Sequence, residues 1–112
     1  MAAIANLTID QGASFSSDVT LKDSGNALFD LTGYTASAKM AKGYSSTRTR
    51  VAMTTTIASD PATGVVTLSL TATETAALDA PARYVYDLEV TKGASVTRVI
   101  EGIINVRPNV TT

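Results

Sequence analysis

Cysteine, histidine and tryptophan are all absent from this 112-residue chain. Without cysteine there is no disulfide, no thiolate nucleophile and no cysteine-based metal site. Without histidine the commonest general base and the commonest transition-metal ligand are missing too. Aromatic residues are scarce, and charged residues reach only 17%, against a usual ~25%. The net charge is −1 with both signs scattered, so there is no basic footprint for nucleic acid. No stretch approaches the ~20 apolar residues that span a bilayer. The first residues, Met1-Ala-Ala-Ile-Ala-Asn6, have neither the positive region nor the long apolar region of a secretory signal. The expectation is a soluble protein made in a cytoplasm, without cofactor or metal, and with no nucleic-acid, membrane or small-molecule partner.

What the chain has in quantity is Thr, Ala, Val and Ser. Thr and Val favour the pleated, half-buried surface of a sheet. A Thr-rich exterior poor in charge is unusual for a freely diffusing monomer, where charge maintains solubility. It fits a domain packed against neighbours, and compositional drift accounts for it equally well. At this length the chain predicts one domain, residues 1–112, able to bury roughly two-thirds of its unfolded surface.

Period-two alternation marks the strands. Ala5, Leu7 and Ile9 share one side of a strand over Ile4–Asp10, and Gln11-Gly12 turns or bulges into Phe15, Ser17, Val19 and Leu21. Asp23-Ser-Gly-Asn26 is a turn. Tyr34, Ala36, Ala38 and Met40 form a third strand, and Lys42–Arg50 has no apolar period and reads as an exposed loop. Val51, Met53, Thr55 and Ile57 form a fourth strand, Asp60–Gly64 a turn, and Val66, Leu68 and Leu70 a fifth strand. Thr71 and Glu74 stand three apart, as in a capping box that opens a short helical turn near residues 72–79 and ends before Pro81. Tyr84, Tyr86, Leu88 and Val90 share the next face, Lys92-Gly93 turns the chain, and Val96–Val106 returns antiparallel, with Val96, Ile100, Ile104 and Val106 on one side. About seven short strands with turns every ten residues or so predict an all-β fold, an immunoglobulin-like antiparallel β-sandwich.

Few residues speak for chemistry. Tyr84 and Tyr86 stand where an immunoglobulin-like corner tyrosine packs inward and bonds the backbone; a sugar platform is the competing reading. Asp87, Glu89 and Glu101 would be near enough for acid–base glycoside cleavage, but they also fit a solvated outer face partnered by Arg98 and Lys92. Asp10, Asp18, Asp23, Asp30 and Asp60 suit strand ends and turns, and no Asp-x-Asp-x-Asp run supports calcium. Arg48 and Arg50, with Lys39 and Lys42, form the one local positive cluster; it reads as surface charge on a loop or, with its interleaved Ser and Thr, as a phosphate or acidic-partner contact. With Tyr44 it makes this loop the first candidate for docking a partner. Val99 and Ile103, opposite the presumed core face of the last strand, point either to a subunit contact or to a strand buried on both sides.

The blocks Asp30-Leu-Thr-Gly-Tyr-Thr35, Leu68-Ser-Leu-Thr-x-x-x-Thr-x-x-Leu78, Arg83-Tyr-x-Tyr-Asp-Leu-Glu89 and Arg98-Val-Ile-Glu-Gly102 with Val106-x-Pro-x-Val-Thr111 resemble those of small virion structural proteins of tailed bacteriophages. The resemblance covers essentially the whole chain, with Lys42–Arg50 matching least. It implies a non-enzymatic β-sandwich building block of the virion, produced in the host bacterial cytoplasm and partnered by other virion proteins and copies of itself. The tail or baseplate is the expected place, as adaptor or fibre attachment, with head decoration or a neck position as the alternative. A glycan- or receptor-binding module, built on Tyr34, Tyr44 and Arg48, is the alternative of another class.

Overall fold

The computed structural model describes residues 3–22, 25, 27–43 and 49–110. Its strands are β1 (Ala3–Ile4), β2 (Leu7–Asp10), β3 (Phe15–Thr20), β4 (Thr35–Ala41), β5 (Val51–Ile57), β6 (Val65–Leu70), β7 (Ala82–Lys92) and β8 (Ser95–Arg107). A 3₁₀ turn at Pro61–Thr63 precedes β6, and a five-residue helix, α1 (Ala72–Ala76), follows it. The hydrogen-bonded order is β1-β8-β7-β4-β5-β6-β3, with β2 also on β8.

The run is continuous because β5 changes partner halfway along. Its first residues pair with β4 (Ala38↔Met53, Met40↔Val51), and its last with β6 (Thr54↔Ser69, Ile57↔Val66). The strip therefore folds over into two layers. Alternate residues from both layers meet in one interior: Ile9, Val19, Ala38, Met40, Met53, Val66, Leu68, Leu88, Val90, Ile100, Ile104 and Val106 are all buried together. Each is one of the in-facing positions that the alternation predicts.

The first strand departs from expectation. Ile4–Asp10 is not one strand but two, β1 and β2, both parallel to β8 (Ala3↔Ile100, Leu7↔Ile104). Between them the chain presses against Gly102, where an added Cβ would lie 2.1 Å from the Ala5 carbonyl oxygen. Only glycine allows that approach. Tyr86, directly opposite Gly102 on β7, donates its hydroxyl to the same Ala5 carbonyl at 2.6 Å. The Ile103 N–H donates to the Asn6 side chain at 3.0 Å, and the Ala5 N–H donates to Glu101 O at 2.9 Å. The Ala5 N–H and carbonyl and the Ile103 N–H thus keep partners at the kink. Burial pushes the Tyr86 phenol up to about 12.

The second departure lies in β8. The β7–β8 register slips beside Leu88 and Glu89, so that Leu88 faces Ile100 while Glu89 faces Arg98. Val99 is the extra residue of this bulge, and beyond it the side-chain parity reverses. Val96, expected on the core side, comes out opposite Thr91 and is 59% exposed.

The corner between β6 and β7 follows the sequence closely. Thr71 accepts from the Glu74 N–H at 3.2 Å, and Glu74 accepts from the Thr71 N–H at 2.8 Å, completing the capping box. Tyr84 packs inward and accepts from the Asp79 N–H at 3.0 Å. The unforeseen element is Thr75, fully buried, whose hydroxyl accepts from the Gly12 N–H (3.0 Å) and lies 2.9 Å from the Ala13 carbonyl. Gln11 donates to the Leu78 carbonyl at 2.8 Å. These bonds fasten α1 to the β2–β3 connection.

Two outcomes test the kink. Gly102→Ala is expected to lose at least the roughly 1–3 kcal/mol typical of overpacking, measured by denaturant unfolding. In Tyr86→Phe the half-buried Ala5 carbonyl loses its donor, at about 1–3 kcal/mol. The raised phenol also makes stability fall above the unfolded tyrosine value, as pH rises from 10 towards about 12. The share of that alkaline loss due to Tyr86 is expected to vanish in the Phe variant.

Candidate assembly surfaces

The outer face of the β8–β7–β4 layer is set by register. Lys39, Asp87 and Glu101 stand side by side on β4, β7 and β8, and Ser37, Glu89 and Arg98 form the next row. Asp87 directly opposite Glu101 is a like-charge pair, which destabilises a sheet. Arg98 resolves it, with its guanidinium 3.3 Å from the Asp87 carboxylate and 3.5 Å from that of Glu101. The bulge at Val99 is what brings Arg98 onto this face. Of the three carboxylates read as an acid–base set, Asp87 and Glu101 are thus engaged in a solvated charge network, and Glu89 stands opposite Arg98 in the register. Lys92 does not join it; its ammonium lies 5.4 Å from the Tyr34 ring centroid.

The turn and strand-end aspartates are likewise used locally. Asp30 accepts from the Thr32 N–H and hydroxyl at 3.0 and 2.6 Å, and these bonds lower its carboxyl from the usual range. Asp60 caps the 3₁₀ turn through the Ala62 N–H at 3.2 Å. Asp10 pairs with Arg107 at 2.7 Å, and that hydrogen bond lowers its carboxyl. Asp18 accepts from the Thr67 hydroxyl across β3 and β6 at 2.6 Å. Asp23 lies outside the described residues. Among the described residues no group of three or more acidic side chains is placed to hold a metal ion.

Of the residues singled out as partner contacts, Tyr44 and Arg48 lie outside the described residues. Arg50 is exposed just ahead of β5, donates to the Gly43 carbonyl at 3.4 Å and borders a small recess with Lys39, Val85 and Asp87. Ile103 is partly buried on the outer face, in one cross-strand row with Val85 and Ala41. Val99 does not join it: as the bulge residue it packs against the core cluster. The structure therefore separates Val99 from Ile103, which alternation had placed on the same side. Tyr34 meets Phe29 edge-on with centroids 5.3 Å apart, and Tyr84 and Tyr86 are buried, so these three form no open aromatic platform. A recess of about 380 Å³ lies by the corner between Thr49, Val51, Leu78 and Tyr84, with the Lys42–Asp79 ion pair on its wall.

The opposite layer has a surface that alternation alone leaves unremarked. Its outward positions stack in rows across three strands: Ser16, Ser69 and Thr54, then Asp18, Thr67 and Thr56. These two rows carry hydroxyls and one carboxylate and no basic side chain. The signal was present as Ser and Thr on the off-beats of β3, β5 and β6, but only the pairing register shows that they line up.

Arg98→Ala is expected to cost under about 1 kcal/mol, the range of exposed ion pairs, with the loss shrinking at high salt. Adding Asp87→Asn to that variant is expected to restore most of it, because the remaining repulsion is then gone. Denaturant unfolding of the wild type and the two variants at low and high salt measures both effects.

No protein-family profile and no characterised protein matches the sequence. Likeness appears in solved structures. A chicken TCR crystal structure superposes with a TM-score of 0.56 at 10% identity, covering 95% of this chain and 54% of that one. The chain thus spans about half the length of that structure. The Lin-41 filamin domain covers 89% of this chain and 82% of its own at 16% identity, with a TM-score of 0.44. Together with the two-layer strand order and the tyrosine corner, the fold is an immunoglobulin-like antiparallel β-sandwich.

Proposed function

We propose that the chain is a non-enzymatic structural protein of a tailed-bacteriophage virion, acting by assembly in the tail or baseplate region as an adaptor or fibre-attachment block. The observation that carries this reading is where the polar side chains are spent. Asp87 and Glu101 are tied to Arg98, Asp10 to Arg107, and Asp30 and Asp60 to their own turns. What is left for partners is extended surface: hydroxyl rows, strand edges and the exposed Val110. Such surfaces bind weakly one at a time and become effective through repetition in a symmetric particle. The sequence blocks around Asp30–Thr35, Leu68–Leu78, Arg83–Glu89 and Arg98–Thr111 support the same assignment through their resemblance to phage virion proteins. On this reading its partners are other virion proteins and copies of itself, and its final location is the particle.

Mass spectrometry of purified virions is expected to find the protein at many copies per particle; its absence would overturn the proposal. A particle map is expected to place it at the tail or baseplate. Finding it on the head or neck would keep the virion assignment and reject the location.

A further inference from the structure

The two ends of the folded strip are built differently. At one end, β1 and β2 are short, split at Ala5–Asn6, and lie against a bulged β8. Interruptions and bulges of this kind are how proteins prevent unwanted strand addition. At the other end, β3 pairs with β6 over six consecutive residues, Phe15↔Leu70 to Thr20↔Val65, with no register shift. Among the described residues no strand covers its far side. It contains no proline, lysine or arginine. The edge at β3 is therefore regular, without break or bulge.

We propose that this edge pairs with β3 of a second copy of the chain, antiparallel and centred on Ser17. The register follows from the side chains. Centring on Ser17 sets Phe15 against Val19 of the partner subunit on the inner side. On the outer side it sets Asp18 against Ser16 of the partner subunit, twice by symmetry. Thr67 occupies Oδ1 of Asp18, and Oδ2 is then positioned for the serine hydroxyl across the seam. Centring one residue further on would oppose Asp18 to itself, a like-charge clash. A two-fold contact demands such self-complementarity, and the Ser17 register satisfies it on both faces. The hydroxyl rows then run on across the seam, from Thr54, Ser69 and Ser16 to Asp18, Thr67 and Thr56 of the partner subunit. The proposal deepens the assembly reading and rests on it for its setting; the contact itself is a property of the isolated chain.

Five paired residues form a small interface, well below the ~1,000 Å² of a stable complex. Self-association of the pure protein is therefore expected only towards millimolar concentration. Sedimentation equilibrium over a concentration series tests it with two substitutions at an exposed position. Ser16→Lys sets an ammonium against Asp18 of the partner subunit and is expected to tighten the dimer severalfold at low salt. Ser16→Asp sets two carboxylates together and is expected to weaken it severalfold. Because the chain has no cysteine, Ser17→Cys adds a clean probe: mild oxidation is expected to give covalent dimers, whereas Thr54→Cys, away from the edge, is not. Opposite-signed effects of the two Ser16 variants together with Ser17 cross-linking support the proposal. Identical behaviour of the Ser16 variants, or no cross-link through residue 17, overturns it. The outcome is separable from the virion assignment: a protein absent from virions that still dimerises this way rejects only that assignment. A virion protein that fails both measurements rejects only the β3 contact.

Discussion

The approach of the first strand to β8 governs how this fold closes. Two layers can bury their apolar faces against each other only if each layer's edge sits down on the core without leaving backbone groups stranded. At Ala5 the chain must cross the sheet surface so tightly that a side chain on residue 102 has no room. Glycine provides the room, and the ring of Tyr86 lies against it while its hydroxyl meets the half-buried Ala5 carbonyl. Ile9 and Val106, one turn of pleat further on, become fully enclosed as a result. Burial of that apolar set is the dominant favourable term in folding, and it depends on this crossing being satisfied.

The same economy of polar groups runs through the rest of the molecule. Thr75 is the one buried polar residue among the described side chains, and it joins the helix to the β2–β3 connection at both a donor and an acceptor. Among the described residues no buried side-chain nitrogen or oxygen lacks a partner. The polar side chains that remain outside are arranged in rows across the strands. The outer charge row with Arg98 and the hydroxyl rows on the opposite layer differ in kind. One is a balanced ionic network that salt screens. The other is nearly uncharged and insensitive to ionic strength.

Much of this was legible from residue spacing. Alternation located β3 to β8, Thr71 and Glu74 announced the capping box, and the pair Tyr84/Tyr86 announced an inward-facing corner. What spacing conceals is any residue that breaks the period. The Val99 bulge is invisible because a β-branched residue fits a strand whether or not its partner opposes it. One extra residue then turned Val96 outward and Arg98 onto the acidic row. The kink at Ala5–Asn6 is equally silent, since its cause, Gly102, lies almost a hundred residues away. The hydroxyl rows depended on pairing between strands distant in sequence. In each case the missing information was non-local register rather than local propensity.

The parallel pairing of β1 and β2 with β8 has a mechanical consequence. Ala3 lies beside Ile100 and Asp10 beside Arg107, so the early end of the chain and its late end leave this ladder in opposite directions. Tension applied between residue 3 and residue 110 loads the ladder lengthwise, and its hydrogen bonds must give way together rather than one after another. The Asp10–Arg107 pair and the Tyr86–Ala5 bond stand at either side of that loaded stretch. A domain clamped in this way resists being pulled out through its ends far better than being peeled open from β3.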